Sequence, residues 1–129
     1  MSNNSKAQSI KGYVGETKHI LVVDDVEENR TILRKFLKDL NFSVIEAADG
    51  KEAFDISQIN DIDLFIIDAV MPSISGLELT RNLRNTSKHK ITPILIASAS
   101  ASSSDKSRSV DFGANDFIAK PIDFDQLLN

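Results

Sequence analysis

Short apolar runs alternate along this chain with segments in which apolar residues recur at helical spacing. Ile20–Val23, Phe42–Ile45, Ile62–Asp68, Ile94–Ser98 and Phe117–Ala119 read as strands, and Glu27–Leu40, Gly50–Ile59, Gly76–Arg84 and Ser103–Phe112 as helices. In the first helix Ile32, Leu33, Phe36, Leu37 and Leu40 fall at i, i+1, i+4, i+5 and i+8, one stripe opposite a face of Arg, Lys, Asp and Glu. Strands that alternate with helices are joined by crossovers, which predicts a parallel sheet with helices on both faces. Leu21-Val22-Val23 and Phe65-Ile66-Ile67 support this, because neither shows the polar alternation of a strand with one wet face.

Two helical segments are weak. Ala97 to Ser109 is dominated by Ser and Ala, so its helix has poor propensity and little apolar stripe, and a mobile helix is expected. The final segment, Asp123 to Asn129, starts like a helix with Asp123 as cap and Gln126 three residues on, but the given sequence stops within two turns. The last helix is therefore short or truncated. Residues 1–18 are rich in Ser, Asn, Lys and Gly without period and read as a flexible tail or linker, leaving one folded domain over residues 19–129.

Composition narrows the function. The chain has 129 residues, 41% hydrophobic and 26% charged, a size and balance suited to one globular unit. The net charge is −4 with scattered Lys and Arg, which disfavours direct nucleic-acid binding. There is no cysteine, so disulfides and thiolate metal sites are excluded. The apolar runs fall far short of the roughly 20 residues that span a bilayer, and Met1 to Gln8 lacks the apolar core of a secretory signal. A cytoplasmic location and no membrane contact by this segment are expected.

The candidate chemistry sits where the apolar runs stop. Ile20–Val23 ends on Asp24 and Asp25, Leu64–Ile67 on Asp68, Ile94–Ala97 on Ser98, and Phe117–Ala119 on Lys120. In open parallel sheets ligands bind at the carboxyl ends of the strands, near the reversal of strand order. Each residue has an ordinary explanation: Asp24 and Asp25 as helix caps, Asp68 as a turn residue before Pro72, Ser98 as one serine of many, Lys120 as solvated surface. Together on one edge they suggest more. Three carboxylates repel one another unless a cation lies among them, and a hard divalent cation such as Mg²⁺ takes such oxygens while leaving positions for phosphate. A carboxylate beside it can attack phosphorus, with a hydroxyl and a lysine to bind the phosphoryl oxygens.

These residues resemble the response-regulator receiver domains of two-component and phosphorelay signalling. The resemblance rests on Val22-Val23-Asp24-Asp25, on Asp68-Ala69-Val70-Met71-Pro72 with Gly76, on Ser98-Ala99, and on Phe117-Ile118-Ala119-Lys120-Pro121. It implies a flavodoxin-like five-stranded sheet in the order 2-1-3-4-5. It implies Asp68 as phosphoacceptor, Asp24, Asp25 and Asp68 as Mg²⁺ ligands (Mn²⁺ being an alternative), with Asp25 the direct ligand of the first pair and the backbone carbonyl of Val70 a further one. Ser98 and Lys120 then bind the phosphoryl group, and Phe117 is the switch aromatic that follows Ser98. The partner implied is a histidine kinase or a histidine phosphotransfer domain, and the output a phosphorylation-dependent surface or dimer rather than turnover. The Asp-Asp-x-x-x-Asn-Arg segment from Asp24 to Arg30 is similar to receivers attached to hybrid histidine kinases. The switch ring is Phe rather than Tyr and so has no hydroxyl. Val70 and Ser100, at the positions that tune loss of the phosphoryl group, are uncharged, and the short last helix puts the usual dimerisation face in doubt.

Three rivals differ in class. An aspartyl-nucleophile phosphatase would typically carry a second acid two positions after its nucleophile, yet Asp24 is followed by Asp25 and Val26. A flavodoxin-like cofactor carrier needs a Gly-, Ser- or Thr-rich phosphate loop after the first strand, where this chain has two acids. An inactive receiver used only for docking would not need every chemical position filled.

Overall fold

The computed structural model describes residues 17–99 and 102–128. Its elements run β1 His19–Val23, α1 Glu27–Asp39, β2 Ser43–Ala47, α2 Gly50–Ile59, β3 Leu64–Asp68, α3 Gly76–Arg84, β4 Ile94–Ser98, α4 Ser103–Phe112, β5 Asp116–Ala119 and α5 Phe124–Leu128. The five strands form one parallel sheet in the order β2-β1-β3-β4-β5. This is the flavodoxin-like order expected from the sequence, with a short last helix.

Strand alternation splits the core into two layers. Leu21, Val23, Phe65, Ile67, Ile94 and Ile96 face one side and pack with Leu79 and Leu83 of α3. Ile20, Val22, Ile66 and Ile118 face the other and pack with Leu33 and Leu37 of α1. Burying both faces explains the absence of polar alternation in β1 and β3. On this second side Phe36 of α1 stacks on Phe124 of α5 with ring centroids 4.3 Å apart.

Four elements, α2, α3, β4 and α4, keep their expected bounds, and the departures have local causes. β2 begins one residue later than Phe42–Ile45 and runs on to Ala47, because Glu46 is held by two arginines of α1. β3 starts at Leu64 rather than Ile62; Asp63 instead receives the His19 N–H on its carboxylate at 2.7 Å. In the α1 stripe Ile32 is exposed while Leu33 and Leu37 are buried. The α4 helix forms despite its serines: Ser102 caps it by accepting the Asp105 N–H, and Gly113 ends it in the left-handed region at φ 114°. Most of the expected tail, residues 1–16, and Ser100 lie outside the described residues. Among the described residues no helix is long and apolar enough to cross a membrane.

Candidate functional site

Asp24 immediately follows β1, Asp68 ends β3, and the two strands are parallel neighbours in register. Their side chains therefore reach the same carboxyl edge. Asp24, Asp25 and Asp68 each offer a carboxylate oxygen within 4.8 Å of the others. Asp24 and Asp68 are buried, whereas Asp25 is exposed. Lys120, just past β5, places its Nζ 2.9 Å from Asp24 Oδ2 and 3.3 Å from Asp68 Oδ1.

Asp24 and Asp25 do not cap α1. The N-cap residue is Val26, which makes no side-chain capping bond. The Val26 N–H donates instead to Asp24 Oδ1 at 2.9 Å, and Asn29 Nδ2 donates to Asp24 Oδ2 at 3.3 Å. The ordinary explanation of the acid pair as caps is thereby set aside.

The Asp68 loop depends on one glycine. The Gly76 N–H donates to Ala69 O at 2.9 Å, and a Cβ built on Gly76 would lie 2.1 Å from Asp68 O. The start of α3 thus rests directly on the backbone that carries Asp68, an approach that only glycine allows. Met71 is buried in the core layer beneath α3, which ties the loop down, while Val70 is exposed and its N–H donates to Asp68 Oδ1 at 3.4 Å.

Ser98 ends β4 buried, one position beyond Ala97, which pairs with Asp68 across the sheet. The Lys120 N–H donates to Ser98 O at 2.8 Å, so backbone pairing joins the hydroxyl-bearing residue to the lysine. Phe117 is half-buried, packed against the core layer that holds Ile96 and Leu83. Asp24, Asp25, Asp68 and Lys120 are therefore one cluster, Ser98 joins its edge, and Phe117 lies further down β5.

The electrostatics favour a cation. Burial pushes the Asp68 carboxyl above its ordinary value; the charge of Lys120 opposes this, and the charge of Asp24 adds to it. Burial pulls the Lys120 ammonium down, but its hydrogen bond to Asp24 and the charges of Asp68 and Asp24 prevail and raise it. Three carboxylates against one ammonium leave a net negative site made only of hard oxygen donors. That is the donor chemistry of Mg²⁺, so the residues present fit the ion that the resemblance implies. An anionic cluster of this kind suits binding of a cation together with a phosphoryl group.

The family model of the response regulator receiver domain matches residues 20–129. The chain belongs to that family. Among curated relatives of this receiver, the response regulator ArlR of Staphylococcus aureus is 37% identical over 109 residues, 84% of this chain and 48% of ArlR. The receiver thus spans about half the length of that relative. Among solved structures, chemotaxis protein CheY4 of Vibrio cholerae is 33% identical with a TM-score of 0.84, over 88% of this chain and 94% of CheY4. A response regulator of Burkholderia pseudomallei, solved with a phosphorylated aspartic acid, a calcium ion and citrate, is 26% identical with a TM-score of 0.78, over 86% of this chain and 64% of that one. As a receiver, the chain belongs to two-component signalling.

Three residues near the cluster escaped the reading of the sequence as parts of a site. Asn29 touches the Asp24 carboxylate, Arg30 Nη1 donates to Asp24 O at 2.7 Å, and Glu46 holds Arg30. The only signal in the sequence is the Asn-Arg pair five and six residues after Asp24, the pair that resembles receivers attached to hybrid histidine kinases.

Proposed function

We propose that Asp68 is the phosphoacceptor of this receiver, taking a phosphoryl group from a phosphohistidine on a histidine kinase or phosphotransfer domain. The observation that carries this reading is the bridge made by Lys120 to Asp24 and Asp68 beside the three-acid cluster. An Asp68 oxygen forms the new bond to phosphorus as the nitrogen–phosphorus bond of the donor breaks, and the imidazole departs with the electron pair. Asp24, Asp25, Asp68 and the carbonyl of Val70 would hold Mg²⁺, which supplies neutralisation of the charge shared by nucleophile and phosphoryl group. Lys120 pairs with Asp68 beforehand and with a phosphoryl oxygen afterwards, and the Ser98 hydroxyl donates to another. Ser98 drawn toward that oxygen frees space for the Phe117 ring, which changes the surface formed by α4 and β5.

The product is a modified surface, so the chain is not a turnover enzyme by itself. A half-buried lysine on two acids, with the third acid beside them, argues against a receiver that serves only for docking. Wild-type protein with Mg²⁺ and a small phosphodonor such as acetyl phosphate is expected to gain one phosphoryl group by mass spectrometry and to bind beryllofluoride. Asp68→Asn is expected to do neither. Labelling that persists in Asp68→Asn would move the acceptor elsewhere.

A further inference from the structure

The backbone that carries the acid pair is held from outside the cluster. The Asp24 N–H donates to Ala47 O at 3.2 Å, and Asp24 O accepts from Arg30 Nη1 at 2.7 Å. Arg30 Nε donates to Glu46 Oε1 at 3.1 Å, and Arg34 Nη1 donates to the other oxygen, Glu46 Oε2, at 2.9 Å. Consecutive residues of β2, Glu46 and Ala47, therefore fix both ends of Asp24, one through Arg30 and one directly. Because the peptide unit is planar, fixing Asp24 O also orients the plane leading into Asp25. Asp25 is exposed, and no hydrogen bond or ion pair of its carboxylate is found among the described residues. Its position near Asp24 and Asp68 thus comes from the backbone alone.

We infer that Arg30 is a positioning residue for the cation site, orienting the Asp24–Asp25 peptide, and that Glu46 holds its guanidinium and offsets part of its charge, the carboxylate being shared with Arg34. The inference rests on the acceptor reading above and deepens it. A guanidinium stays protonated at any working pH, so an uncompensated one on the ligand loop would repel a divalent cation. Glu46, shared with Arg34, reduces that conflict. The arrangement also needs the planar fork, because one guanidinium reaches the carbonyl through Nη1 and the carboxylate through Nε. A lysine ammonium is a point charge without that geometry.

The test is a titration of Mg²⁺ alone into metal-free wild type, Arg30→Ala, Arg30→Lys and Glu46→Gln, followed by backbone amide shifts, with thermal unfolding in EDTA alongside. Loss of a group that orients metal ligands weakens affinity by about 10–100-fold; about 10-fold is expected for Arg30→Ala and Glu46→Gln, and less for Arg30→Lys. The Mg²⁺ concentration that half-saturates labelling by acetyl phosphate is expected to rise by about the same factor. Lower stability with unchanged Mg²⁺ affinity would overturn the inference. Should Arg30→Ala fail to fold, wild-type affinity in both Arg30→Lys and Glu46→Gln would overturn it equally. Wild-type protein that bound no Mg²⁺ would defeat the acceptor reading itself, a result distinct from either.

Discussion

On the β2-β1-β3 side of the sheet, the loops that carry acids stand on dense packing, whereas on the β4-β5 side the covering helix has little hold. α1 buries Leu33 and Leu37, and α3 buries Leu79, Thr80 and Leu83, but α4 buries only Ser109 and leaves Val110 exposed. The acid side is also clamped by polar contacts, through Arg30 and Glu46 to Asp24 and through Gly76 to Asp68. At the C-terminal end of α4, Arg84 Nε donates to Gly113 O at 2.9 Å and Arg81 lies 4.3 Å from the Phe112 ring centroid. On the proposed function the difference divides tasks within one domain: chemistry needs fixed groups, and a response needs an element whose displacement exposes little apolar surface.

Core substitutions test the comparison most severely. Leu37→Ala, at a fully buried position against β1 and β3, is expected to cost about 2–5 kcal/mol in urea unfolding. Val110→Ala on the exposed face of α4 is expected to fall within about 0.5 kcal/mol of wild type. A large loss from Val110→Ala would mean that α4 is anchored as firmly as α1.

Gly76→Ala comes next. The added carbon would meet Asp68 O and the Ala69 backbone, neither of which is the movable end of a side chain. The start of α3 must retreat, at about 1–3 kcal/mol for an overpacked contact. The displacement falls on the backbone of Asp68, the proposed acceptor, so acetyl phosphate labelling should slow as well. Normal labelling in a destabilised Gly76→Ala protein would show that the loop tolerates movement and that the acid side is less rigid than its packing implies.

How much of this was legible in the sequence follows the range of the contacts. The bounds of α2, α3, β4 and α4 depend on local signals, such as Asp49, Ser75 and Ser102 accepting N–H groups three residues on. The cluster was legible because each member stops an apolar run, so strand order alone brings them together. Asn29, Arg30 and Glu46 were not, because nothing near Glu46 shows that it pairs with Arg30 sixteen residues earlier. A Glu within a strand reads as a break, which is why β2 was expected to stop at Ile45. Ile32 misled for a related reason: helical period places it beside the core stripe, but the edge of that stripe lies in the groove next to the acids, with Pro121 and Ile122.

The smallest effect expected concerns the conflict built into the fixed side. Asp68 has a folded-state pKa above its ordinary value because burial outweighs the help it receives from Lys120. The folded protein therefore holds the Asp68 proton more tightly than the unfolded chain does, and stability from this group is present below the unfolded pKa and lost as pH rises through the folded one. At neutral pH the ionised carboxylate weakens the metal-free fold, so Asp68→Asn should melt slightly above wild type in EDTA, with Lys120 still paired to Asp24 at 2.9 Å. The gain should shrink as pH falls through the raised Asp68 value and vanish below the ordinary carboxylate one, where the group is neutral in folded and unfolded protein alike. Mg²⁺ should reverse the order, because a ligand that binds only the folded state stabilises whichever protein binds it better. Melting temperatures of the two proteins, with and without Mg²⁺ across acid and neutral pH, check each sign. A wild type more stable than Asp68→Asn in EDTA at neutral pH would mean that the acid edge is already relieved by its own lysine, leaving no local strain for a cation to offset.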